Sequence, residues 1–90
     1  MMKMPYIEQS LRECYDDEIQ SLVTELLLLN KSPGDINYVI SAIIWKLFDN
    51  DPCYSNANKL QGVLTCCASE FYRRKVAPLE DEKIIENGDL

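Results

Sequence analysis

Apolar residues recur along this chain at steps of three and four, the spacing that places side chains on one face of an α-helix. Ile19, Leu22, Val23, Leu26 and Leu29 form the first such stripe, and Asp16, Asp17 and Glu18 precede it, where a helix N-terminus favours negative charge. The spacing predicts a helix over 15–29. Further on, Ser32-Pro33-Gly34-Asp35 reads as a helix start: Ser32 as N-cap, Pro33 at the first helical position, and Asp35 at the acidic position of a capping box. A second helix over 33–48 follows, with Ile36, Val39, Ile40, Ile43 and Leu47 on a wide apolar surface that also takes in Ile44 and Phe48, and with Trp45 at its edge. The β-branched residues also suit a strand, but their period is 3.6 and not 2.

Asp49-Asn50-Asp51-Pro52 makes the next turn, and the longest predicted helix runs over 54–76. Ala57, Leu60, Leu64, Cys67 and Phe71, with Val63 beside them, form its expected inward stripe. A second stripe, Asn58, Gly62, Cys66, Ser69 and Arg73, is made almost wholly of small residues, and it has two readings. Gly62 is either a tolerated helix glycine, at about 1 kcal/mol relative to alanine, or a point of close approach for another helix. On the second reading Gly62, Cys66 and Ser69 are an oligomer interface. Residues 1–14 read as an N-terminal arm, with Pro5 opposing helix at Met4, and 77–90 as an acidic segment that composition alone makes a frayed tail. The expected fold is all-α, three main helices in one domain over 1–90, with the third longest.

At 90 residues a single hydrophobic core is marginal, and the run Leu26 to Leu29 places leucine outside the strict stripe, so the reading is a homo-oligomer. The net charge of −6 argues against binding a nucleic-acid polymer. That charge is uneven: residues 1–52 carry −5, 53–78 carry +3, and 79–90 carry −4. The long helix is therefore basic between two acidic segments, which pair with it inside the protomer or across an interface. Cys14, Cys53, Cys66 and Cys67 show no C-x-x-C spacing and there is no histidine, so neither a structural metal nor a cofactor is expected. Met1 to Tyr6 lacks a signal-peptide core and the apolar runs are far short of a bilayer span, which points to a cytoplasmic protein without membrane contact.

The best chemical constellation is Tyr72-Arg73-Arg74-Lys75. One reading is plain helix chemistry: cations near a C-terminus, with Glu70 and Arg74 as an i, i+4 pair. The other is an anion site in which the forked guanidiniums of Arg73 and Arg74 hold phosphate and Tyr72 stacks on a base. Asn37 and Tyr38, close to a helix N-terminus, are either capping and packing residues or further ligand contacts, and Asn58 carries the same two readings. Enzymatic constellations are lacking: there is no histidine base, no phosphate-binding glycine loop, and no partner to activate a cysteine nucleophile.

Met4–Ile7 (MPYI), Pro33–Ile40 (PGDINYVI) and Gly62–Leu90, with its EFYRR, AP and ENGD elements, together resemble a family of small uncharacterised proteins encoded by bacteriophages and prophages. Where that family has tyrosine after the Ala77-Pro78 pair, this chain has Leu79. The resemblance implies that Glu86 to Asp89 is more than a free tail, and it places the protein in an infected bacterial cell. Small phage proteins of this kind act by binding: some block a host protein and some sequester the nucleotide signals of bacterial immunity. The expectation is therefore a phage anti-defence protein that sequesters a cyclic nucleotide or nucleotide-derived signal without cleaving it. The alternative is a module that docks on a host or phage protein through its apolar helix faces.

Overall fold

The computed structural model describes residues 7–28 and 32–89, and every regular element among them is helical. The order is α1 (Gln9–Leu28), α2 (Pro33–Asn50), α3 (Tyr54–Phe71), a π-helical turn (Tyr72–Val76) and α4 (Ala77–Asn87). The chain divides into two compact units, Met1–Cys53 and Tyr54–Leu90. The fold is all-α, as the periodicity indicates, and the helical path from Tyr54 is the longest.

Helix α1 begins six residues before the expected start, so Gln9 to Cys14 is helix and not arm. The reason lies in the same stripe read backwards: Leu11 and Tyr15 stand eight and four residues before Ile19, on the face that continues through Leu22 and Leu26. The Leu11 amide donates to the Glu8 carbonyl at 3.0 Å, closing the first turn. Leu29, the last residue of the expected stripe, lies outside the described residues, as do Met1 to Tyr6.

Helix α2 starts where its local chemistry dictates. The Ser32 hydroxyl accepts from the Asp35 amide at 3.4 Å, and the Asp35 carboxylate accepts from the Ser32 amide at 2.9 Å and from its hydroxyl at 2.7 Å. The capping box is complete, with Pro33 in the first turn where its missing N–H costs nothing. Ser32→Ala is expected to remove about 1 kcal/mol of stability. Urea unfolding followed by circular dichroism measures it, and a change below the resolution of that experiment would contradict the cap assignment.

Pro78 does not end the second unit's helix. In a regular ladder its ring would strike the Arg74 carbonyl and leave that group without a donor. The chain instead widens into a π turn, where the Ala77 amide donates to the Tyr72 carbonyl five residues back, and Pro78 falls in the tolerant first turn of α4. The acidic segment is therefore helix as far as Asn87, not a frayed tail. Gly88 follows with φ of 82°, a conformation that disfavours side chains, which accounts physically for glycine in the ENGD ending.

Burial differs from expectation on α3. Leu60 is the buried apolar residue among those described, and Asn56 is buried one turn before it. Val63, Cys66 and Glu70 extend that shielded face, whereas Leu64, Cys67 and Phe71 of the expected inward stripe are exposed. The covered face is thus turned toward the small-residue side. On α2, Ile36, Ile40, Ile43 and Leu47 recur at four, three and four residues on one narrow stripe, and all four are exposed.

Candidate functional site: a basic π turn

The π turn places Tyr72, Arg73, Arg74 and Lys75 at the junction of α3 and α4. Widened turns of this sort recur at functional sites because they re-aim side chains without breaking the helix. Here the turn exists because of Pro78, so the same residue that disrupts the ladder also sets how the basic residues project.

Glu70 organises the cluster. Its Oε2 accepts from Arg73 Nη2 and from Arg74 Nε, each at 2.8 Å, and its Oε1 accepts from Arg73 Nε at 3.4 Å. The expected Glu70 and Arg74 pair is present, and Arg73 joins it through an i, i+3 contact. The carboxylate side chain is 23% exposed against 64% and 56% for the two arginines, so a partly buried anion supports two outward-reaching cations.

Tyr72 is tied to the following helix: its hydroxyl donates to Glu80 Oε2 at 3.1 Å. That hydrogen bond, the Glu80 charge, partial burial and the Asp81 charge all hold the phenol above the ordinary tyrosine value, because ionisation would set a second negative charge beside a carboxylate. The acidic segment thus engages the basic turn within its own unit through tyrosine. On α3, Glu70 is an anionic partner of both arginines.

The other candidate residues are distributed. Asn58 is exposed on α3, roughly 20 Å along the helix from Arg73 at 1.5 Å rise per residue, so it does not join the cluster within one protomer. Asn37 and Tyr38 belong to the first unit. The Asn37 Oδ1 accepts from the Ser41 hydroxyl at 3.0 Å, which is local helix chemistry, while the Tyr38 ring is 72% exposed. Of the expected interface residues, Gly62 and Cys66 are half-buried and Ser69 is exposed. Glu80 is the site residue that sequence reasoning did not name, and Glu70 was named as the pair partner of Arg74 alone. Their signal was the spacing of three, four and eight residues from the basic run, the last visible only if the helix passes Pro78.

Fold and site define a small all-α protein with an exposed basic turn on a chain of net charge −6. The chain belongs to the family described as Domain of unknown function (DUF6899), whose model matches residues 4–90. No curated protein and no solved structure matches it. Among the described residues no helix is long and apolar enough to cross a membrane.

Proposed function

We propose that this protein is a phage anti-defence binding protein that sequesters a cyclic nucleotide or related nucleotide-derived signal, without cleaving it, in the cytoplasm of the host bacterial cell. The observation that carries the reading is the exposed Arg73 and Arg74 pair beside Tyr72 on the π turn. Guanidinium forks match phosphate oxygens, and an adjacent phenol ring offers a face to a base. A compact positive site on an acidic chain favours a small phosphorylated ligand, since a long polymer would meet repulsion elsewhere on the surface. The absence of histidine and of phosphate-loop motifs from the sequence supports capture over cleavage. The resemblance to small phage and prophage proteins supports the setting.

The protein acts as a homo-oligomer on this reading. Support comes from the exposed stripe Ile36, Ile40, Ile43 and Leu47, whose burial a second copy provides. Asn37, Tyr38 and Asn58 would then contribute from neighbouring copies to the polar and stacking contacts around the phosphate. Gly62, Cys66 and Ser69 would line a close approach between helices.

Isothermal calorimetry against cyclic di- and trinucleotides and ADP-ribose derivatives tests the proposal. The expected result is binding to at least one of them, with the ligand recovered intact by chromatography and with Arg73→Ala weakening affinity about tenfold or more, the worth of a charge-assisted hydrogen bond. No heat with any ligand would sink it. The exposed apolar stripe also favours a second reading, a module that docks on a host or phage protein; that reading expects co-purification of a macromolecule and an Arg73→Ala variant that behaves as wild type.

A further inference from the structure

We infer that Glu70 is a positioning residue that draws the guanidiniums of Arg73 and Arg74 into a single phosphate clamp, an inference that rests on the basic turn being the anion site. Neighbouring residues of a helical turn, the wider π turn included, point in different directions, so Arg73 and Arg74 alone diverge, and their like charges add to the divergence. Glu70, three residues before one and four before the other, occupies the surface between them. One oxygen, Oε2, stands 2.8 Å from Arg73 Nη2 and 2.8 Å from Arg74 Nε, so both guanidiniums are gathered on one carboxylate oxygen. Arg73 is further held by its Nε on the other oxygen at 3.4 Å, a two-point contact that restrains the plane of its fork.

The charge balance suits the role. One carboxylate screens the repulsion between two guanidiniums and leaves the group one positive charge in excess, so the cluster stays attractive to phosphate while its cations remain together. Glu70 is also the least exposed member of the three, which makes it the fixed point and the arginines the adjustable arms. The consequence has an unusual sign. If Glu70 were only a counter-ion competing with the ligand, its removal would tighten anion binding; as a positioning residue, its removal loosens binding even though a negative charge has gone.

The test uses the full chain and inorganic pyrophosphate as probe, with the arginine Nε–H resonances followed by NMR. In the wild type the Arg73 and Arg74 signals are expected to move together along one binding curve. Glu70→Ala is expected to weaken pyrophosphate binding about tenfold and to uncouple the two signals. Glu70→Gln keeps a hydrogen-bond acceptor in the same place, and is expected to fall between; it decides the matter if Glu70→Ala loses helicity. Equal or tighter binding in both variants, or a wild type in which one arginine alone responds, overturns the inference. A wild type that shows the paired response to pyrophosphate but binds none of the nucleotides overturns the sequestration reading and leaves the clamp standing.

Discussion

Leu60→Ala is expected to remove about 2–5 kcal/mol of stability, the range for emptying a buried leucine site. Leu60 is only 8% exposed, and among the described residues no other large apolar side chain reaches that burial. A chain of 90 residues has roughly 5–13 kcal/mol to lose, at 0.05–0.15 kcal/mol per residue, so one truncation removes a large share. Leu64→Ala, one turn further along α3 on an exposed position, is the matched control and is expected to cost under about 1 kcal/mol. Both belong to the same apolar stripe by spacing alone, so the contrast isolates burial from helix propensity. Urea unfolding at one fixed protomer concentration reads the difference, because any self-association would make apparent stability depend on concentration. Equal losses in the two variants would contradict the burial pattern of α3.

Ile40→Asp is expected to prevent self-assembly. The Ile40 side chain sits mid-stripe between Ile36 and Ile43 on the exposed face of α2, 49% exposed in the single chain. An interface that covers this face would have to bury an unpaired carboxylate, which costs several kcal/mol unless a partner is at hand. A penalty of about 3 kcal/mol corresponds to a rise of more than a hundredfold in the dissociation constant. Sedimentation is expected to show the wild type above its single-chain mass of 10.4 kDa and the variant at it, with a matching fall in helical ellipticity. A wild type that sediments as one chain would remove the oligomeric reading. A variant that assembles as the wild type does would move the interface to another face. Lys46→Asp, on the same helix but off the stripe, serves as the charge control.

The site was readable in its cations and not in its geometry. Tyr72, Arg73 and Arg74 announce themselves as a run of four polar and charged residues with Lys75, and Glu70 to Arg74 follows from helical spacing. The Tyr72 contact with Glu80 was not readable, because it requires the helix to continue past Pro78, and the usual rule stops it there. Asn58 lies roughly 20 Å along α3 from Arg73 of its own chain, a separation that helical spacing already sets.

By itself the sequence determined the class of fold and the start of α2. Each follows from interactions within four or five residues: the 3.6 period of the apolar positions, and the Ser32, Pro33 and Asp35 chemistry that closes the first turn. Only the structure decided which side of α3 is covered. Ala57, Leu60 and Val63 of the expected α3 stripe are shielded, with Asn56 and Cys66 beside them, whereas Leu64, Cys67 and Phe71 are exposed, because periodicity marks an apolar face and not how much of it is covered. The passage through Pro78 was decided locally, by the backbone geometry of the turn. The cost of a proline depends on which carbonyl its neighbours seek, and moving the Ala77 bond to Tyr72 removed the clash and set the basic turn in place.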